Sequence, residues 1–212
     1  MPDGDTLLGF LGISILLTLA PGPDNLMVLA HSLAHGRKAG LGIALGCALG
    51  CVSHVLWATL GVSATLAASP KAFVALKIAG ALYLAWLGIG ALRRDRPTTP
   101  PRSATTRPRP WHRDLMRGFI ANAINPKVAL FFLAFMPQFV AAEAGHTSLQ
   151  MAILGAVFMA QTIVIFGAIA LAAGGVGRQL RRRPGLGVWL DRLAGVVFIA
   201  LAIKLVASPG TR

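Results

Sequence analysis

The most restrictive feature of this sequence is an apolar segment, residues 7–34, that is interrupted near its middle. It is long enough to cross a bilayer, which requires about 20 apolar residues in a helix. The interruption, Pro21-Gly22-Pro23-Asp24, introduces two helix-breaking prolines and a carboxylate at membrane depth. Broken backbone survives there only where protein or a water-filled cavity satisfies its polar groups. The pattern predicts a functional site, although Asp24 could instead simply cap the second half of a kinked helix.

The rest of the chain has the same apolar character. Of its 212 residues, 55% are hydrophobic and only 13% are charged, which is about half the charged share of a soluble domain. Further apolar segments occupy residues 39–67, 72–92, 115–140, 149–174 and 190–207. We therefore predict an all-α membrane protein with six transmembrane helices, in which residues 1–212 form a single transmembrane domain.

The basic residues that give the chain a net charge of +13 are concentrated in short connections between the apolar segments. They cluster in a linker at residues 93–114 and in a second predicted loop at residues 178–183. This distribution argues against a nucleic-acid partner and predicts that both connections are cytoplasmic, with both termini outside. The linker is also expected to contact anionic lipid head groups.

The fourth apolar segment is interrupted at Asn125-Pro126, at a position that corresponds to the break in the first. The two segments cross the membrane in opposite directions, and each begins a group of three. This pattern predicts two inverted three-helix repeats, residues 1–92 and 115–212, with helices 1 and 4 broken at Pro21-Gly22-Pro23 and Asn125-Pro126.

The composition of the breaks predicts what they bind. Proline suits the first position of a helix, so new half-helices should begin at Pro23 and Pro126, with their N-termini in the middle of the membrane. Such N-termini and Lys127 suit a carboxylate, while Asp24 suits an ammonium group or a proton. A zwitterion such as an amino acid fits both. The predicted substrate-binding residues are Pro21, Gly22, Pro23, Asp24, Asn25, Asn122, Asn125, Pro126 and Lys127, with Asp24 as the proton-coupling residue.

These motifs resemble those of a known family. The segment Ala20-Pro21-Gly22-Pro23-Asp24-Asn25, the turn His35-Gly36-Arg37-Lys38-Ala39-Gly40 and the later Asn125-Pro126-Lys127 are similar to the LysE/RhtB amino-acid exporters. The resemblance implies a multi-pass protein of the bacterial cytoplasmic membrane that exports amino acids or related metabolites by proton antiport. Many members carry Asn where Asp24 stands.

An alternative function is efflux of a soft divalent metal cation such as cadmium. Cys47, Cys51 and His54 share one face of the second apolar segment and are suitable ligand types, but they could equally be packing residues. Gln161 and Thr162 could line a substrate path or, as we favour, form hydrogen bonds between helices. No nucleotide-binding or hydrolase motif is present, so we expect a transporter without a cofactor rather than an enzyme.

The oligomeric state is open in the sequence. Gly42, Gly46 and Gly50 recur every fourth residue in the second apolar segment, which is a pattern that allows close approach of helices. The ladder could pack within one chain or between the two copies of a homodimer.

Overall fold

The computed structural model describes residues 2–68, 70–95, 110–141, 145–182 and 184–207. Within these ranges every regular element is helical, which confirms the all-α prediction. The helices are α1 (Gly4–Leu19), α2 (Pro23–His35), α3 (Arg37–Ala68), α4 (Pro70–Leu92), α5 (Trp111–Ala123), α6 (Pro126–Leu130), α7 (Thr147–Arg182) and α8 (Pro184–Ala207).

The described helices provide four membrane spans, or six when each of two bent pairs is counted as one span. α3, α4, α7 and α8 each contain a stretch long and apolar enough to cross a bilayer. The other two spans are bent pairs, α1 with α2 at 57°, and Trp111–Ala123 with Pro126–Phe139 at 51°. The predicted six-helix membrane protein with broken first and fourth helices is therefore confirmed, while the inverted relation between its halves remains a prediction.

Both half-helices begin where the prolines predict. α2 starts at Pro23 after Gly22, and α6 starts at Pro126 after Asn125, whose side chain accepts a hydrogen bond from the backbone N–H of Lys127. α6 is short and continues as a π-helical turn, Phe131–Phe135, and a 3₁₀ turn, Met136–Phe139. Proline accounts for both starts because it has no N–H to donate and its φ already suits the first turn of a helix.

Two predicted boundaries are wrong. The basic cluster at residues 178–183 was expected to form a loop, but α7 continues to Arg182. Arginine is a good helix former, and positive charge at a helix C-terminus is favoured by the helix dipole. The linker predicted at residues 93–114 ends earlier, because α5 already begins at Trp111. Residues 96–109 of that linker lie outside the described residues, so its lipid contacts stay a prediction.

The glycine ladder packs α3 against α5 within one chain. A Cβ at Gly46 would overlap the carbonyl oxygen of Leu115, and a Cβ at Gly118 would overlap that of Ile43. A Cβ at Gly50 would lie 2.8 Å from the Cβ of Asn122. These contacts show that the small residues let the two backbones meet and bring Asn122 against α3.

An aromatic core holds the second break in place. Phe131, Phe132 and Phe135 follow α6, are fully buried, and pack with Phe10 of α1 and Phe158 of α7. The Phe132 and Phe158 ring centroids are 4.9 Å apart in an edge-on arrangement, and those of Phe10 and Phe131 are 5.8 Å apart. Aromatic pairs of this kind stabilise a core beyond the area they bury. The π-helical turn that follows α6 is therefore anchored between the first and fifth spans.

Candidate functional site

The carboxylate of Asp24 lies on the first turn of α2 and is 4% exposed. Its Oδ2 accepts a hydrogen bond of 2.8 Å from Nδ2 of Asn122, which lies at the end of α5 in the other half of the chain. Its Oδ1 is buried and accepts no hydrogen bond from the residues that the structure describes. A buried carboxylate with a free lone-pair oxygen is unusual, since buried polar atoms almost always have partners. Oδ1 of Asp24 can therefore accept a hydrogen bond from a further donor group.

The ammonium of Lys127 reaches the first break from the second. Lys127 is 7% exposed, and its Nζ donates a hydrogen bond of 2.9 Å to the carbonyl oxygen of Ala20, the residue that follows α1. The same Nζ lies 5.4 Å from the centre of the Phe198 ring. A cation at a helix C-terminus is favourable, because the last carbonyls carry partial negative charge. Lys127 opposes the dipole of its own helix but complements that of α1.

The prolines explain why α1 needs partners from elsewhere. Pro21 and Pro23 have no N–H, so the carbonyls of Leu17 and Leu19 cannot make their usual helical hydrogen bonds. The carbonyl of Thr18, whose helical partner would be the amide of Gly22, instead accepts a bond of 2.7 Å from Nδ2 of Asn25. The side chains of Asn25 and Lys127 thus donate to the carbonyls of Thr18 and Ala20 at the end of α1.

The remaining predicted site residues have local roles. Gly22 leaves room for the lysine, because a Cβ there would lie 3.1 Å from Nζ of Lys127. Asn125 caps α6. The structure therefore brings all the predicted residues to the two breaks and links the breaks through Asp24–Asn122 and Lys127–Ala20. Asp24 and Lys127, which both lie in the described part of the chain, do not form an ion pair with each other. Each is hydrogen-bonded to another partner.

Two side chains of α3, Cys51 and His54, support the site, a role that the sequence did not indicate. His54 Nε2 lies 2.8 Å from the carbonyl oxygen of Asn122, and Cys51 Sγ lies 3.5 Å from its Oδ1. Because a carbonyl only accepts, His54 donates through Nε2. The spacing of Cys47, Cys51 and His54 did indicate a shared face, but the structure shows that Cys51 and His54 on this face contact Asn122. Among the described residues, no three His, Cys, Asp or Glu side chains form a group able to hold a metal ion.

A second polar cluster joins α7 to the end of α1. Gln161 Nε2 donates to Oγ1 of Thr18 at 2.9 Å and to Oγ1 of Thr162 at 3.0 Å. Thr162 in turn donates to the carbonyl of Phe158. The interpretation of Gln161 and Thr162 as residues that form hydrogen bonds between helices is confirmed for Gln161, whose partner lies 143 positions away.

This architecture, with six spans, two of them broken, and buried charges at the breaks, defines a class of multi-pass helical membrane protein built for transport. A model of the LysE type translocators matches residues 15–208, so the chain belongs to that family.

Relatives with similar sequences cover nearly the whole chain. An uncharacterized membrane protein of Pseudomonas aeruginosa is 31% identical over 92% of this chain and 91% of its own. Another from Vibrio cholerae is 31% identical, with 95% and 96% covered. A protein of Salmonella choleraesuis named leucine efflux protein is 29% identical, with 91% and 90% covered. No solved structure shows significant similarity.

Proposed function

We propose that this protein exports amino acids or related small metabolites from the bacterial cytoplasm by proton antiport. The observation that carries the proposal is a pair of buried opposite charges, Asp24 and Lys127, each on the first turn of a half-helix that begins inside a broken span. Membership of the translocator family and the leucine efflux relative support export of a small molecule.

The two charges suit the two ends of a zwitterion. In our proposal the substrate carboxylate binds the ammonium of Lys127 close to the starts of α2 and α6, where the helix dipoles favour negative charge, while the backbone N–H of Lys127 itself is engaged by Asn125. The substrate ammonium binds Oδ1 of Asp24, the oxygen that accepts no hydrogen bond from the described residues. Pro21, Gly22, Pro23 and Pro126 shape the breaks, while Asn25, Asn122 and Asn125 hold them.

Proton coupling follows from competition at one oxygen. A proton or the substrate ammonium can occupy Oδ1 of Asp24, but not both together. If the outward-facing site exchanges its ammonium for a proton, and the inward-facing site does the reverse, each exported molecule brings one proton inward. Asn122 holds the other oxygen in both states, which keeps the carboxyl group oriented.

Alternating access would come from the relative movement of two inverted halves. Exchange of the first span with the fourth, the second with the fifth and the third with the sixth maps several of the observed helix pairs onto one another, although the packing of α2 on α3 has no equally extensive counterpart between the fourth and fifth spans. α3 packs on α5 as α7 packs on α1 and α2, while α3–α7 and α4–α8 map onto themselves. This correspondence supports an inverted repeat in which one three-helix half rocks against the other around the central site.

The test is export from cells that express the protein and are loaded with a panel of dipeptides. We expect one or more amino acids to leave faster than from cells with an empty vector, and the rate to rise with an imposed inward proton gradient. Resistance to added Cd²⁺ is measured in parallel. Metal resistance without amino-acid release would refute the proposal and support the metal alternative.

A further inference from the structure

Three buried side-chain oxygens around the first break accept or donate no hydrogen bond within the described part of the chain. One is Oδ1 of Asp24, which the proposed function uses. The others are Oγ of Ser14, which is fully buried on α1, and Oε1 of Gln161, whose side chain is 7% exposed on α7. Buried polar atoms without partners destabilise a fold and are rare, so two of them near one break require an explanation.

The side-chain oxygen of Gln161 can still accept a hydrogen bond. Its amide nitrogen has two donors, and both are engaged by Thr18 and Thr162. Its Oε1 can only accept, and no described group donates to it. Ser14 and Thr18 are one helical turn apart and therefore lie on the same face of α1, the face that meets Gln161 through Thr18.

This cluster is connected to the proposed central site by one hydrogen bond. The carbonyl of Thr18 accepts from Asn25, the residue that directly follows Asp24. Ser14, Thr18 and Gln161 therefore extend the polar surface of the break along α1, toward the end of the span that begins at Gly4.

Charge decides which ligand suits this surface. Asp24 and Lys127 already balance one another, so a zwitterion adds no net charge, whereas a metal cation would leave the buried region positive. The acceptor at Gln161 and the hydroxyl at Ser14 instead match an N–H or O–H group of a molecule without net charge, such as a zwitterion.

We propose that Ser14, Thr18 and Gln161 form a polar subsite that receives an N–H or O–H donor of the transported molecule. This inference rests on the proposed function and names where a further part of the substrate binds. The donor has two possible sources, a second N–H of the same ammonium group that binds Oδ1 of Asp24 or a hydroxyl on the side chain of the substrate, and these share the same hydrogen-bond chemistry.

The test compares threonine with valine, which have nearly the same shape but differ in one hydroxyl. Export of both is measured from loaded cells that express wild type, Ser14→Ala or Gln161→Leu. Ser14→Ala removes an oxygen that makes no hydrogen bond, so a purely structural role predicts no loss. Ser53→Ala is its matched control, because the Ser53 hydroxyl is engaged by the carbonyl of Gly50 at 2.6 Å. Thr162→Val controls for the network of Gln161, since it leaves Oε1 in place.

We expect Ser14→Ala and Gln161→Leu to lower export roughly 3- to 10-fold at normal membrane abundance, with both controls near wild type, as is typical for loss of one hydrogen bond. Equal loss for both amino acids identifies the ammonium as the donor, and loss for threonine alone identifies the hydroxyl. Wild-type export that both variants retain for both amino acids would overturn the subsite and leave the proposed function standing. A wild type that exports no amino acid would refute the proposed function itself.

Discussion

Nζ of Lys127 and the carbonyl oxygen of Ala20 are 2.9 Å apart although 107 positions separate them in the chain. Across the same interface, Asn122 donates to Asp24 over 98 positions. In each half, the residue that follows the helix-starting proline therefore bonds to the other half's break. The two broken spans form one polar unit rather than two independent kinks.

Replacement of the lysine should weaken substrate binding. Lys127→Ala removes the full positive charge beside the starts of α2 and α6, and a charge-assisted hydrogen bond of this kind contributes about 1.5–3 kcal/mol. We expect the half-saturating concentration of the exported amino acid to rise roughly 10- to 100-fold. Lys71→Ala, at an exposed position, is the control. An unchanged half-saturating concentration would exclude Lys127 from the binding site.

Neutralisation of the carboxylate should uncouple transport from protons. Asp24→Asn keeps an oxygen that can accept from Asn122, so the fold and membrane abundance should be retained. Without a titrating group, export should no longer accelerate when an inward proton gradient is imposed on vesicles. Asp95→Asn, at an exposed position beyond α4, should respond as wild type does. Export by Asp24→Asn with the wild-type rate and pH dependence would leave Asp24 as a helix cap alone.

The contact between α3 and α5 should be intolerant of a single methyl group. In Gly46→Ala the new Cβ would overlap the carbonyl of Leu115, and backbone at such a crossing can move only if the helices separate. Overpacking of this kind costs about 1–3 kcal/mol. We expect a lower midpoint of thermal unfolding in detergent, whereas Gly12→Ala, where a Cβ meets nothing within 4 Å, should be neutral. Equal midpoints for the two variants would contradict this arrangement of α3 and α5.

The cysteines should be dispensable. Cys47 and Cys51 are both buried and free, and Cys51 makes a weak contact of 3.5 Å to Asn122 that a serine hydroxyl can replace. The double variant Cys47→Ser and Cys51→Ser should therefore export amino acids at close to the wild-type rate. Loss of export at normal abundance would show that thiol chemistry is needed and would favour the metal alternative.

Orientation can be measured on that cysteine-free background. The arginine-rich connection before α5 predicts that position 113 is cytoplasmic and that the N-terminus lies outside. A membrane-impermeant thiol reagent applied to intact cells should react with Asp5→Cys but not with Arg113→Cys, although both positions are exposed on the protein. Reaction at position 113 alone would invert the topology.

Local chemistry made much of this structure predictable from sequence. The starts of α2 and α6 at Pro23 and Pro126 follow from properties of proline that need no tertiary context. Long apolar segments likewise predict spans, because a bilayer imposes their length. The C-terminal limit of α7 was missed, since arginines are compatible with a helix end as well as with a loop.

The hydrogen-bond partners of the buried polar groups could not be predicted from the sequence. Lys127 opposes the dipole of its own helix, and only the position of α1 shows which helix end it complements. His54 and Cys51 were recognised as sharing a face, yet nothing local indicates that Asn122 lies against that face. Such contacts depend on how the helices pack. The sequence shows the glycines that permit close packing, but it does not show which helix packs against them.

Each break supplies hydrogen-bond partners to the other, and this has a consequence for biosynthesis. When the first three spans have left the ribosome, the carbonyl of Ala20 and the carboxylate of Asp24 still lack Lys127 and Asn122, which belong to the fourth span. Unpaired groups of this kind are poorly tolerated in lipid. We therefore expect the nascent first half to stay beside the insertion machinery, or to keep its break hydrated, until the fourth span arrives. On this basis we expect assembly to be a joint event of both halves rather than the docking of two finished ones.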